Sequence, residues 1–237
     1  MKKLITIFAF IALSTVSAKA ADLGIFSVTA GFAANQGVFG ATAKETARDE
    51  DDVLGSVNKE SGVFTDSYGS QFIEVGLGSW ISLGYEHTPD SISTPQNVNN
   101  GNIGTTATST VSVDFNDMNT AYLKLNTPYG VYFKYGTVST DIDIKETQQS
   151  GNTYQNKSVD GESMGIGYQT FIKDTGFGIR FEGSYLELDN VSVDNGVAIG
   201  AGTPATGGRN QIDASNLEGL TGKVALTYTF GKSGNSF

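Results

Sequence analysis

The chain contains no cysteine. A disulfide framework, a thiolate metal site and a cysteine nucleophile are therefore excluded, even in an oxidising compartment that would permit disulfides. Proline occurs only 4 times in the 237 residues, whereas glycine occurs 30 times. This combination is typical of long strands joined by flexible turns.

Basic residues are also few, with 15 Lys and Arg against 25 Asp and Glu. No basic patch is present that would neutralise phosphates, so we expect no nucleic-acid partner. The acidic run at 49–52 lacks the ligand spacing of a calcium loop and is interpreted as a solvated loop, without a metal site. We expect no bound cofactor either.

Histidine occurs once, as His87. Strand alternation places it on the same side as Ile81 and Leu83, which is the side that would face lipid in a membrane barrel. A single outward imidazole is a weak candidate for a general base. The sequence therefore predicts that the protein is not an enzyme, although an enzyme site at the outer rim is kept as a less favoured alternative.

The first twenty residues have the layout of a secretory signal peptide. Lys2 and Lys3 precede an apolar run at 4–16, and the small residues Ala18 and Ala20 offer a cleavage site. The run is shorter than the roughly 18 apolar residues of a membrane-spanning helix. We therefore predict a signal peptide over 1–20, whose removal takes away three lysines and no acid and moves the net charge from -10 to -13. No linker divides 21–237, which predicts one domain.

Apolar and polar residues alternate along the last predicted strand, 220–230. Val224, Leu226 and Tyr228 fall on one face, and Lys223 and Thr227 on the other. The same pattern begins seven earlier strands, at Phe26, Gln71, Ile81, Thr110, Val131, Ser158 and Phe177. An interruption at Asn116 and Asp117 predicts a bulge.

The connections between these strands alternate in length. Short turns follow Leu77, Asn126 and Ile172, and the long polar connections span 43–65, 89–107, 146–156 and 191–214. Short turns therefore meet at one end and long loops at the other. This layout predicts an all-β fold: an eight-stranded antiparallel up-and-down transmembrane β-barrel with short periplasmic turns and long external loops.

The polar face carries seven charged residues of the predicted strands, three acids and four bases. They are Glu74, Glu86, Lys124, Lys134, Arg180, Glu182 and Lys223. In a transmembrane barrel this face lines the lumen, so we predict a lumen charge network that closes the interior. Pairing across the third turn sets Gln169 beside Arg180 and Gly167 beside Glu182. A soluble ligand-binding barrel would instead turn its apolar face inward.

Aromatic residues gather near the strand ends, as two interfacial girdles do. We assign Trp80, Tyr129, Phe171, Phe177, Tyr228 and Phe230 to the turn end, and Tyr68, Tyr85, Phe115 and Tyr185 to the loop end. Core aromatics of a soluble barrel are the alternative interpretation.

The signal peptide, the eight alternating strands, the polar lumen and the ending Tyr228-Thr229-Phe230 resemble the small eight-stranded outer-membrane barrels related to the OmpA barrel domain. The resemblance implies the cell outer membrane of a Gram-negative envelope, with outer-membrane lipid, lipopolysaccharide and the barrel-assembly machinery as partners, and a monomer. The family's C-terminal aromatic assembly signal matches either Phe230 or Phe237. We expect a structural or adhesive role through acidic external loops; the alternative is a narrow passive channel.

Overall fold

A computed structural model describes residues 25–49, 51, 53–100, 108–147, 153–173, 175–198 and 208–231. The predicted signal peptide at 1–20 and Phe237 lie outside the described residues. The described strands are β1 (Phe26–Arg48), β2 (Leu54–Leu77), β3 (Ile81–Thr88), β4 (Ile92–Ser93), β5 (Asn97–Asn100), β6 (Thr108–Asn126), β7 (Val131–Thr147), β8 (Lys157–Phe171), β9 (Phe177–Leu188), β10 (Val191–Asp194) and β11 (Gln211–Gly231). Within the described ranges, no helix is long and apolar enough to cross a membrane.

Eight of these strands close into a ring. The order is β1-β2-β3-β6-β7-β8-β9-β11, and β11 pairs back onto β1, with every neighbouring pair antiparallel. Strands β4 and β5 pair with β6 beyond the end of β3, and β10 pairs with β11 beyond the end of β9. The prediction of an eight-stranded antiparallel barrel is confirmed.

The strands are tilted within the ring. Directly paired residues form a row through Val28, Val75, Leu83, Leu123, Tyr135, Met164, Tyr185, Leu220 and Val38. The row leaves β1 at residue 28 and returns to it at residue 38, a stagger of ten residues. Such a stagger over eight strands corresponds to a tilt of roughly 40°, within the normal range for barrels.

The outer wall is apolar in the half of the barrel next to the turns. Leu226 is 68% exposed and Leu83 65%, and the other outward residues of this belt are mostly aliphatic or aromatic. A continuous apolar belt of this kind is the lipid-facing surface of a transmembrane barrel. The outward direction of the apolar face excludes the soluble ligand-binding barrel.

Aromatic residues mark both edges of this belt, with Trp80 and Tyr129 at the turn end and Tyr85 towards the loop end. Three residues assigned to the girdles lie instead on the inner face. Phe115 packs against the inner apolar cluster, Tyr68 hydrogen-bonds Thr221 inside the barrel, and Phe171 is opposite the inward position Gly178. Their assignment was wrong because nearness to a strand end does not fix the side of the wall.

One of the predicted loops is largely strand, and another contains strand residues at both of its ends. The connection at 43–65 shrinks to a few residues, because β1 continues to Arg48 and β2 begins at Leu54. The connection at 191–214 contains β10 and the start of β11. These segments lie beyond the lipid belt, where strands face water and need no apolar outer side. Their polar composition therefore looked like that of a loop.

The predicted bulge is confirmed: the register between β6 and β7 shifts between Asn116 and Asn119, and Asp117 has a φ of 48°. A second irregularity was not predicted. The register between β1 and β11 shifts between Gly40 and Thr42, and Asn216 on β11 has a φ of 52°. Both bulges lie in the loop-side half of the barrel.

The interior of the loop-side half is apolar. Its buried members, which we call the apolar tier, are Phe39, Ile92, Met118, Val138, Ile142, Tyr154, Val159, Leu188, Val191, Val193 and Leu217. A small cavity of about 20 Å³ lies between Phe39, Ile92, Met118, Leu188 and Leu217. A volume of this size holds about one water molecule, so this half has a packed core like that of a soluble domain.

Candidate functional site

The seven charged residues predicted for the lumen lie together across the inside of the barrel. They come from β2, β3, β6, β7, β9 and β11, and each is at most 7% exposed. We call them the ion-pair layer. Each lies on the inner face because successive side chains of a strand point to opposite sides, and the residues before and after each charge lie on the outer side.

Glu74 is the centre of one half of the ion-pair layer. The Arg180 guanidinium donates to both of its carboxylate oxygens, at 2.7 and 2.8 Å, and also to Gln169 at 2.9 Å. The Lys124 ammonium pairs with Glu74 as well, and the Tyr122 hydroxyl donates to it at 2.9 Å. Bidentate pairing of this kind is strong and fixes the relative orientation of the two side chains.

Glu86 and Glu182 form the other half. Lys223 lies 2.6 Å from Glu86 and 3.2 Å from Glu182, and Lys134 lies 3.2 Å from Glu86 and 2.6 Å from Glu182. The Tyr132 hydroxyl donates to Glu182 at 2.7 Å. Two ammonium groups therefore bridge two carboxylates, and removal of any one leaves a buried charge without full compensation.

Aromatic rings fill the space between the charges. The Arg180 guanidinium lies over the rings of Phe72 and Tyr132, and Lys134 lies over Tyr122. The rings lie on glycines of neighbouring strands. A Cβ at Gly84 would be 2.3 Å from the Tyr122 ring, and one at Gly167 would be 2.2 Å from the Tyr132 ring. Glycine is therefore required there by the close approach of a ring.

The two tyrosines are site residues that sequence reasoning did not assign. Tyr122 shares the inward phase of Lys124, and Tyr132 shares that of Lys134. That alternation was visible in the sequence. Their partnership with the carboxylates was not, because Tyr122 and Glu74 are 48 residues apart and lie on strands that are not neighbours in the ring.

A short polar boundary joins the ion-pair layer to the apolar tier. The Ser70 hydroxyl donates to Glu86 at 2.7 Å and receives a bond from Asn35 at 3.0 Å. The Tyr68 hydroxyl meets the Thr221 hydroxyl at 3.3 Å, and its ring lies 6.4 Å from that of Phe39. The Tyr68 side chain thus links the apolar tier to the polar residues next to the ion-pair layer.

Ion pairs outside the lipid belt lie at the surface of the loop end. Asp194 accepts from the Gly196 backbone N–H and from Arg209 at 2.9 Å, and both contacts lower the pKa of its carboxyl. Burial acts to raise the pKa of Asp114, but hydrogen bonds from Lys145 and Ser93 outweigh it, so this pKa also lies below its ordinary value. These carboxylates remain charged at neutral pH.

The remaining candidates of the sequence lie apart from the ion-pair layer. His87 contacts Asn119 through Nδ1 at 2.8 Å, and Tyr85 donates to the same oxygen. In the acidic run, Asp49 accepts from the backbone N–H groups of Asp51 and Val53, while positions 50 and 52 lie outside the described residues. The described part of the chain contains no group of three or more potential ligands that could hold a metal.

No protein family model and no curated protein matches the chain. Several solved structures do align with it. OprG from Pseudomonas aeruginosa is 9% identical, with a TM-score of 0.48, over 85% of this chain and 97% of that one. Ail from Yersinia pestis, in complex with a heparin analogue, is 10% identical, with a TM-score of 0.37, over 84% and 99%. The outer membrane protease OmpT from Escherichia coli is 10% identical, with a TM-score of 0.37, over 86% and 97%.

All three are outer-membrane proteins, as the resemblance drawn from the sequence implied. They do not confirm the narrower resemblance to the OmpA barrel domain. At these identities and scores the likeness concerns the fold alone. The protease nevertheless corrects one prediction. The expectation that this chain is not an enzyme, drawn from its single outward histidine, was wrong to exclude one, because an outer-membrane protease aligns over 86% of this chain.

Proposed function

We propose that the chain is an integral outer-membrane barrel whose interior is closed and whose work is done by its external part, in a structural or surface-interaction role. The single observation that carries this proposal is that buried side chains occupy both halves of the interior. The ion-pair layer crosses the lipid-facing half, and the apolar tier fills the half beyond it. An eight-stranded barrel is only wide enough for side chains, and here both halves use that space.

The ion-pair layer and the apolar tier would block the passage of ions through the lumen for different physical reasons. A permeating ion would have to displace buried ion pairs in the first part, where removing a partner is costly. In the second part it would have to enter a packed apolar core without compensation for its lost hydration. This arrangement disfavours the narrow passive channel.

The external part offers a large surface for contact with other molecules. Beyond the lipid belt β1 and β2 continue as a hairpin to Arg48 and Leu54, and β11 pairs with β1 up to Gln211. The acidic residues of this end supply the charge that an adhesive role would use. As further parts of the proposal, lipopolysaccharide and lipid would surround the belt, the assembly machinery would insert the barrel, and it would act as a monomer.

Membrane fractionation tests the proposal. The protein is expected in the detergent-extracted outer membrane, and unheated samples should migrate differently on a gel from boiled samples, because a closed barrel resists unfolding by detergent. Recovery in the soluble periplasmic fraction would contradict the membrane assignment. A deletion of residues 49–53, which shortens the β1–β2 tip, should leave both results unchanged while reducing adhesion of the cells to host surfaces.

A further inference from the structure

The outer half of β2 has a sheet partner on one side only. Strand β3 pairs with β2 from Leu77 to Gln71 and no further, whereas β1 pairs with β2 along its whole length. Strands β4 and β5 pair with β6 instead. Among the described residues, the β2 edge from Leu54 to Ser70 therefore has no strand bonded to it.

Side chains bond to this edge mainly at its end nearest the lipid belt. Asp90 accepts from the Gly69 backbone N–H at 3.0 Å, and the Ser93 N–H donates to Asp66 at 3.0 Å. Farther from the lipid belt, the Asn97 side-chain amide donates to Glu60. Val63, on the outer face, is 76% exposed, and Val57 on the same face is exposed as well. Among the described residues, the backbone donors and acceptors of this stretch thus have no strand partner on this side, and apolar side chains are exposed beside them.

A pair of like charges lies beside the open edge. Lys59 is directly opposite Lys44 on the neighbouring strand β1, and both are exposed. Like charges directly opposite each other destabilise a sheet. Lys44 has Asp213 of β11 as its other cross-strand neighbour, but Lys59 makes no ion pair with any described residue. A carboxylate on the open side of β2 would relieve this repulsion.

We propose that the β2 edge at 57–63 binds an extended peptide segment of another protein, which adds to the sheet as an antiparallel strand and places an acidic side chain beside Lys59. Main-chain hydrogen bonds supply affinity in this mode, and alternate side chains supply specificity. Val57, Lys59, Ser61 and Val63 share the outer face, so the peptide should carry apolar, acidic, small and apolar residues at alternate positions. This inference rests on the proposed surface-interaction function and names the chemistry of its partner.

The test uses the full-length protein in detergent micelles and the labelled peptide Val-Thr-Thr-Ser-Asp-Thr-Val, followed by fluorescence anisotropy. We expect saturable binding to the wild type. Lys59→Glu should weaken binding by roughly tenfold, since an attraction becomes a repulsion, and should favour the peptide in which Lys replaces Asp. Lys173→Glu makes the same charge change at the opposite end of the barrel and should leave binding unchanged.

A peptide methylated on alternate backbone nitrogens tests the main-chain bonds, and its binding should be lost. Absence of saturable binding, equal binding to the Lys59→Glu and Lys173→Glu variants, or full binding of the methylated peptide would each overturn the inference. Self-association of the protein that the peptide fails to compete would also overturn it, since a second copy would then occupy the edge. None of these results changes the membrane fraction of the protein, which tests the proposed function separately.

Discussion

Replacement of Arg180 by methionine is the sharpest perturbation of the ion-pair layer. Arg180 is 1% exposed and donates twice to Glu74 and once to Gln169. Breaking a buried pair by removing one partner costs about 3 to 5 kcal/mol. Glu74 keeps Lys124 and Tyr122 after this change, so we expect a loss near the lower end, about 3 kcal/mol.

The opposite change should be more damaging. Glu74→Gln leaves the Arg180 and Lys124 cations side by side with no carboxylate between them, and we expect a loss of about 5 kcal/mol. The double variant relieves that repulsion and should be no less stable than Glu74→Gln alone. Two residues in direct contact are expected to be non-additive in this way.

Urea unfolding of the protein refolded into lipid vesicles measures these losses, with the fluorescence of Trp80, the only tryptophan, as the probe. Lys145→Met is the control, because Lys145 is 64% exposed and its pair with Asp114 lies outside the belt. Because the Lys145 end of this pair is screened by solvent, its removal should cost much less stability than either change in the ion-pair layer. Equal losses for Arg180→Met and Glu74→Gln, or losses that add in the double variant, would refute the reasoning.

Three further predictions address other parts of the barrel. Leu226→Arg should impair insertion by about 2 to 4 kcal/mol, the cost of Arg in the lipid belt, whereas Val63→Arg, on the outer face beyond the belt, should be nearly neutral; equal yields in a vesicle-insertion assay would contradict the assignment of the faces. Ile142→Asn places an unpaired amide in the apolar tier and should cost about 1 to 3 kcal/mol, measured by urea unfolding; no loss would mean that the tier is not packed. The lowered pKa of Asp194 means that its contribution is present above its unfolded value of about 3.9 and is lost as the pH falls through the folded value; proteolysis near Arg209 should therefore increase in acid, and Asp194→Asn should abolish that pH dependence.

Alternation carried most of what the sequence could predict. The pairings Gln169 with Arg180 and Glu74 with Gly84 follow from the short turns, because a tight turn fixes the register of the two strands it joins. The inward side of each charged residue followed from the same period of two. What alternation could not supply is the set of partners across the lumen, such as Arg180 with Glu74, because that depends on the stagger of the closed ring.

The apolar tier shows a different limit. Val138 and Ile142 continue the inward phase of Lys134 along β7, so the inner face changes from charged to apolar along a single strand. The sequence contains this change, but treating each strand face as uniform hid it. Beyond the lipid belt the inner face becomes apolar and the outer face becomes polar, as in a soluble barrel. That reversal also explains why the strand extensions of β1, β2 and β11 were predicted to be loops.

Conductance across a planar bilayer is the most direct test of the closed interior. The purified, refolded wild type should insert and give no steady current at either polarity, because the ion-pair layer and the apolar tier both fill the lumen. Arg180→Met alone should also remain silent, since the apolar tier is left intact, while Arg180→Met combined with Phe39→Ala and Ile142→Ala should produce detectable openings. Large, stable, ion-selective openings from the intact wild type would contradict the account and favour a channel.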